Sequence, residues 1–153
     1  MKMNERRRLL AICGVATLGF ASHRPAQAKQ QLSDSITQPA KPDDSAFVTR
    51  SFEMRHLALE LGDQGYGAVV VRESSIVGQS PSKVILNGDP TAHAEMEAIR
   101  DAAKRLGSRD LSGCTLYSSS RACPMCEAAA YWAGISRMVY GNAIADAGHP
   151  SLC

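Results

Sequence analysis

His93-Ala94-Glu95 is followed, 28 residues beyond Glu95, by Cys123-Pro124-Met125-Cys126. One imidazole and two thiolates can supply three ligands to a tetrahedral zinc ion. Three protein ligands leave the fourth position open to water, the arrangement of a catalytic site and not of a closed structural one. Glu95 is not needed as a ligand. A spare carboxylate beside a metal that lowers the pKa of water toward ~7 is placed to move protons in a hydrolysis.

Each half of the pattern is weak alone. Most His-x-Glu triplets are surface helix residues. Cys123 and Cys126 by themselves would also fit a thioredoxin-like redox pair, or half of a structural zinc knuckle. His56 and His149 are alternative ligands, but neither stands in a motif. The joint pattern favours a metal site because both halves fall where a helix is expected to begin. Residues two apart on a helix diverge, yet first-turn side chains ring the axis and can converge on an ion in front of the helix end. The positive end of the helix dipole also favours thiolate.

The elements that must position these groups follow from the hydrophobic pattern. Phe47 to Leu61 has apolar residues near helical spacing, closed by Gly62. Gly67 to Val71 is a β-branched run that suits a buried strand. Ser75 to Gly78 and Lys83 to Leu86 suggest a second strand with an extended continuation, and Asn87 to Pro90 a turn. With Thr91 as N-cap, Ala92 to Leu106 predicts a helix with Met96, Ile99, Ala103 and Leu106 on one face, stopped by Gly107. Thr115 to Tyr117 predicts a third strand, Pro124 to about Ala133 a helix with proline in its first turn, and Arg137 to Tyr140 a fourth strand. Strands alternating with helices imply an α/β layered sheet, at least partly parallel.

The chain has 153 residues, 44% hydrophobic and 21% charged, ordinary for one globular domain. Residues 1–28 resemble an export signal: a basic start from Lys2 to Arg8, an apolar stretch from Leu9 to Ala21 too short to span a bilayer, and Ala26-Gln27-Ala28 for cleavage. Arg6-Arg7 followed by Leu9-Leu10 points to the twin-arginine variant, which predicts a periplasmic or secreted protein with no membrane span after cleavage. That route exports folded proteins, so zinc could be loaded in a reducing cytosol before the thiols meet an oxidising compartment. Residues 29–45 are polar and predict a disordered linker, leaving 46–153 as the catalytic domain. The formal net charge of +2 is misleading: beyond residue 28, 12 basic residues face 14 acidic ones. An acidic domain argues against a nucleic-acid partner. Of five cysteines, Cys13 leaves with the signal, and whether Cys114 and Cys153 pair is open.

The segment Asp89 to Arg100, with Thr115-Leu116-Tyr117-Ser118-Ser119 ahead of Cys123-Pro124-Met125-Cys126, resembles the cytidine-deaminase-like superfamily over roughly residues 47 to 142. It is most similar to the branch of guanine deaminases and tRNA adenosine deaminases, and Ala130-Tyr131-Trp132-Ala133 leans toward guanine deaminases. The resemblance implies a three-layer α-β-α sandwich with a mixed sheet. It also implies one zinc per subunit and usually a homodimer. Carried onto this sequence, His93, Cys123 and Cys126 hold the metal and Glu95 is catalytic, while the backbone N–H groups of Ala94 and Cys123 line the reacting centre.

Three departures lie outside the metal set. Gly65-Tyr66-Gly67-Ala68 replaces the usual Pro-Phe-Gly-Ala, Ser82 stands where the family has a base-binding Asn, and Arg121-Ala122 replaces Glu-Pro. Ser82 and Tyr66 are accordingly expected at the substrate. Exchanging an amide for a hydroxyl removes a donor and an acceptor, so reading of the base edge must differ. The chain also ends soon after the fourth expected strand, earlier than is usual in the family. The expectation is a zinc-dependent hydrolase releasing ammonia from a free purine base, a nucleoside or a related amino-heterocycle. The rivals are a non-catalytic zinc-binding protein on the same fold and a periplasmic CxxC thiol–disulfide protein.

Overall fold

The computed structural model describes residues 36–151. The expected signal, residues 29–35 and Cys153 lie outside them. The elements in chain order are α1 (Asp44–Glu60), β1 (Gly67–Arg72), β2 (Ser75–Pro81), α2 (Val84–Asn87), α3 (Ala94–Leu106), β3 (Thr115–Ser118), α4 (Pro124–Trp132), β4 (Arg137–Tyr140) and β5 (Ala145–Gly148). The sheet order is β2-β1-β3-β4-β5. Only β3 and β4 run parallel; the other neighbours are antiparallel. A parallel pair needs a crossover, and α4 is that crossover.

Alternate residues of each strand feed two cores. Val69, Val71, Tyr117 and Val139 pack with Phe47, Val48, Met54 and Leu57 of α1. Ala68, Val70, Leu116 and Met138 pack with Ala94, Ala98 and Ala102 of α3 and Ala130 of α4. The result is the expected three-layer α-β-α sandwich on a mixed sheet. Strand β1 is buried on both faces because β2 and β3 flank it and a helix covers each side, which is why its sequence is a continuous apolar run. Among the described residues no helix is long and apolar enough to cross a membrane.

Several expectations need correction. The described part of the 29–45 segment is not a disordered linker. Ile36 packs against the α1-side core. The Gln38 amide donates to Ile76 O and accepts from Ile76 N, both at 2.8 Å, imitating a further strand on the β2 edge. Asp43 caps α1 by accepting from Ala46 N at 2.8 Å, so the helix starts at Asp44, ahead of the expected domain boundary.

Lys83 to Leu86 does not extend the second strand. It enters the short helix α2, because the Asp63 carboxylate accepts the N–H groups of Ile85 and Leu86, each at 2.9 Å, and overrides the β-branched residues' strand preference. The N-cap of α3 is His93 and not Thr91. The Asp89 carboxylate accepts from both Thr91 N and Thr91 Oγ1 at 2.8 Å, which holds Thr91 in the preceding turn.

The face of α3 against the sheet is Ala94, Ala98 and Ala102, with Ile99 and Leu106 only half-buried beside it. Bulk did not choose this face; closeness did. At Gly78 of β2 an added Cβ would lie 2.5 Å from Ala102 N. Finally, the chain does not end its sheet at the fourth strand: β5 adds an antiparallel edge. Its Ala-Asp-Ala-Gly sequence is largely exposed and carries no strand signal.

Candidate active site

Helices α3 and α4 begin close together, and their N-caps are His93 and Cys123. A helix N-cap ordinarily carries a Ser, Thr, Asp or Asn whose oxygen accepts from the first turn. Here neither side chain makes a cap hydrogen bond, and both backbones are extended (ψ 154° and 166°). The imidazole and the thiol are thereby free to project beyond the helix ends. Pro124 occupies the first turn of α4, where its missing N–H costs nothing, and Cys126 follows Cys123 by three residues on the same side.

His93, Cys123 and Cys126 converge as a group able to hold a metal ion. His93 Nδ1 lies 3.7 Å from Cys123 Sγ and 3.6 Å from Cys126 Sγ, and the two sulfurs are 3.6 Å apart. A tetrahedral zinc with bonds of about 2.3 Å to sulfur and about 2.0–2.1 Å to nitrogen sets its ligands about 3.5–3.8 Å apart. All three separations satisfy that triangle, so the donor set fits zinc in type and in size. Glu95 sits in the first turn of α3 with 5% of its surface exposed, its Oε2 3.7 Å from Cys126 Sγ.

The electrostatics point the same way. Burial raises the Glu95 carboxyl above the ordinary carboxylate range, against the pull of its own N–H, the His93 ring and the Cys126 thiol. Burial also pushes the Cys126 thiol well up, with the neighbouring Glu95 charge and Cys123 adding to the rise. A buried carboxylate beside the buried Cys126 thiol calls for a compensating cation, which is what a metal supplies.

The other expected residues are less uniform. Ala94 is fully buried at the start of α3, next to His93. Tyr66 is 46% exposed and lines an open cavity of about 530 Å³ with Arg55, Gln64, Ser119 and Ser120. Ser82 is fully buried, and its hydroxyl donates to Asp63 Oδ1 at 2.8 Å. His56 is exposed on α1, and His149 Nδ1 pairs with Pro150 O at 2.7 Å; neither belongs to the metal group. Cys114 is a buried free thiol in the core on the α3 and α4 side of the sheet.

Sequence reasoning missed Asp63. Gly62-Asp63-Gln64-Gly65 has the composition of a solvated turn, and nothing in it shows that the carboxylate is buried. A weak signal existed in the α2 segment, whose first N–H groups need an acceptor.

Comparison with known proteins agrees with this geometry. The family described as cytidine and deoxycytidylate deaminase zinc-binding region matches residues 41–142. The guanine deaminase of Bacillus subtilis (strain 168) is 44% identical over 102 residues, covering 66% of this chain and 65% of that protein. A tRNA-specific adenosine deaminase of Buchnera aphidicola is 38% identical over 98 residues, covering 64% of this chain and 60% of that protein. The solved structure of guanine deaminase from Bacillus subtilis superposes with a TM-score of 0.63 at 37% identity, covering 65% of this chain and 64% of that one. The chain thus spans slightly less than two thirds of the length of these relatives. Two helix ends that present one imidazole, two thiols and a buried carboxylate, within a sequence match of this extent, place the chain in the cytidine and deoxycytidylate deaminase zinc-binding family.

Proposed function

We propose that this protein is a zinc-dependent hydrolase that removes an exocyclic amine from a free purine base, a nucleoside or a related amino-heterocycle. The observation that carries the reading is the Glu95 carboxylate, buried and 3.7 Å from the Cys126 sulfur, beside the three-donor group. Zinc held by His93, Cys123 and Cys126 supplies Lewis acidity that makes water a nucleophile near neutral pH. Glu95 takes the proton of that water and delivers it to the ring nitrogen beside the attacked carbon. It then takes the second proton from the oxygen that has added to the carbon and gives it to the departing amine, so that the C=O bond forms as the C–N bond breaks and ammonia leaves. Burial suits Glu95 to the task, since a carboxyl raised above the ordinary range is a stronger base for the proton it takes up and hands on. The family resemblance assigns the N–H groups of Ala94 and Cys123, at the two helix starts, to the side on which negative charge develops.

Guanine is the nearest named substrate, supported by the Bacillus subtilis relative. The excess of acidic over basic residues beyond residue 28 weighs against a tRNA substrate. The export reading rests on residues 1–28 and places the mature protein in the periplasm or outside the cell; fractionation of cells would test it. Pairing of two copies is supported by Trp132, 73% exposed at the end of α4, and is open to a mass measurement in solution.

The test is ammonia release from guanine, adenine, cytosine and their nucleosides, with zinc content measured on the same sample. Glu95→Ala is expected to keep its zinc and lose about 10²–10⁴-fold in rate. Full activity in that variant would overturn the mechanism. Bound zinc with no release from any substrate would favour the non-catalytic rival.

A further inference from the structure

Asp63 is a buried carboxylate that the proposed chemistry does not use. It is 5% exposed and accepts four hydrogen bonds: from Gln64 N at 2.7 Å, Ser82 Oγ at 2.8 Å, and Ile85 N and Leu86 N at 2.9 Å. Burial alone would raise its pKa. The donors outweigh that and hold it below the ordinary range, so the group is a carboxylate at neutral pH.

The two segments it joins border the metal site through the backbone. Ser82 N donates to Tyr66 O at 3.0 Å, and Lys83 N donates to Ala92 O at 2.9 Å, one residue before His93. Gly67 N donates to Ser119 Oγ at 3.2 Å and Ser119 N to Gly67 O at 2.9 Å, four residues before Cys123. Segments 61–67 and 82–87 therefore form one rim, stitched at one end to each ligand-bearing loop. Asp63 is the charged group inside that rim, and it takes up the hydroxyl of Ser82.

We propose that Asp63 is a positioning residue of the substrate rim: its carboxylate fixes segment 82–87 against segment 61–67, and it turns the Ser82 side chain into the protein, away from the ring being deaminated. Ring recognition on this side then falls to backbone groups and to Tyr66, not to the side chain at 82. The proposal deepens the deaminase reading and rests on it for the identity of the ring, while the clamp itself does not depend on catalysis.

The experiment uses the full-length zinc-loaded protein and two variants, Asp63→Asn and Ser82→Ala. Amide hydrogen exchange is measured first, without substrate. Asp63→Asn should speed exchange at Ile85 and Leu86 about 10–100-fold, the loss expected when a charge-assisted buried acceptor is replaced, while α4 stays unchanged. Unaltered exchange at Ile85 and Leu86 would overturn the clamp whether or not the protein is an enzyme. Guanine turnover is measured second. Asp63→Asn should raise KM about 10-fold or more with kcat within about 3-fold, and Ser82→Ala, which removes one of the four bonds, should raise KM less than about 3-fold. A rise for Ser82→Ala equal to that for Asp63→Asn would mean that Ser82 reads the ring directly, and would overturn the second half of the proposal. If Asp63→Asn does not fold, exchange at Ile85 and Leu86 is read in Asp63→Glu, which displaces the same carboxylate, and a KM rise of about 10-fold or more in Ser82→Ala alone overturns the second half of the proposal. Exchange as expected, with no ammonia from any substrate in the unaltered protein, would sink the deaminase reading and leave the clamp standing.

Discussion

The two faces of the sheet are filled by side chains of different size. Toward α1 the core is made of Phe47, Met54, Leu57, Tyr117 and branched aliphatics, with the Phe47 and Tyr117 rings 5.2 Å apart. Toward α3 and α4 it holds five alanines: Ala68, Ala94, Ala98, Ala102 and Ala130. Both faces are fed by the same strands, so the difference is not one of strand chemistry. Small residues let the backbone of α3 lie close against β2 at Gly78, while α1 approaches as closely only at the end of β1, where a Cβ on Gly67 would lie 2.2 Å from Ser51 O. A helix held by its backbone has little freedom to shift, and the ligand at its N-cap shares that rigidity. The α1 face buries the volume that stabilises the domain; the α3 face gives up volume to fix a position.

The comparison breaks most visibly through cavity formation on the α1 side. Phe47 is 4% exposed and touches Tyr117, so Phe47→Ala should cost about 3–5 kcal/mol. Denaturant unfolding would measure that loss, and chelator competition should return an unchanged zinc affinity in the folded protein. A parallel fall in zinc affinity would show that the two faces are not independent.

Overpacking probes the other side. Ala98 is fully buried against the sheet, one turn beyond His93 and Glu95. Ala98→Leu should cost about 1–3 kcal/mol of stability, less than Phe47→Ala, yet weaken zinc binding because α3 must back away from β2. A variant with the same stability loss and undiminished zinc affinity would contradict the idea that close backbone approach sets the ligand geometry.

The same contrast explains what the sequence reveals. The metal face announces itself because its chemistry needs particular residue types: His93, Glu95, Cys123 and Cys126 are legible from spacing, and Pro124 and Gly107 mark the helix limits. Strand β1 follows from a β-branched run, and β3 and β4 from short apolar stretches that carry Tyr117 and Tyr140. What stays hidden is set by partners distant in sequence. Lys83 to Leu86 has strand-like residues, and only the Asp63 carboxylate about twenty positions earlier makes it helical. Ser82 is at a position suited to touching substrate, and only its bond to Asp63 shows it turned inward. The sheet-facing side of α3 is misread from side-chain size because closeness to Gly78, not bulk, selects it. Strand β5 has no local strand preference and exists because β4 offers it an edge.

Acid should separate the faces as well. The α1 face is locked by Asp44, which accepts two hydrogen bonds from the Arg137 guanidinium at 3.0 and 3.3 Å and one from the Tyr117 hydroxyl at 2.6 Å. The Arg137 bonds first, and then the Tyr117 bond, hold the Asp44 carboxyl below its ordinary value of 3.8. A depressed carboxyl contributes stability that is complete above the unfolded pKa and is lost as pH falls through the folded one. The lock should therefore persist to below about pH 4, whereas zinc binding weakens earlier because its ligands must shed protons. Asp44 is 39% exposed, so Asp44→Asn should cost only about 0.2–1 kcal/mol at neutral pH, with its stability curve meeting that of the unaltered protein in strong acid. Zinc release and loss of folding at the same pH would erase the distinction.

A change of the same small size, but opposite in sign, belongs to the hairpin that joins β1 to β2. Its two central residues, Glu73 and Ser74, both have positive φ, 48° and 66°. A two-residue turn of that shape suits the right-handed twist of the strands and is normally made by Asn-Gly, since only such residues reach the left-handed region without strain. Glu73→Asn with Ser74→Gly should raise stability by about 0.5–1 kcal/mol, the relieved strain being partly offset by the extra freedom glycine gives the unfolded chain. The turn lies at the end of both strands away from Gly67 and Pro81, whose neighbours form the rim, so zinc affinity and turnover should not move. Thermal unfolding of the zinc-loaded and zinc-free forms would check both halves. A gain seen only with zinc bound would mean that strain in this hairpin reaches the metal face through β1, and that the rigidity assigned to α3 belongs in part to the sheet beneath it.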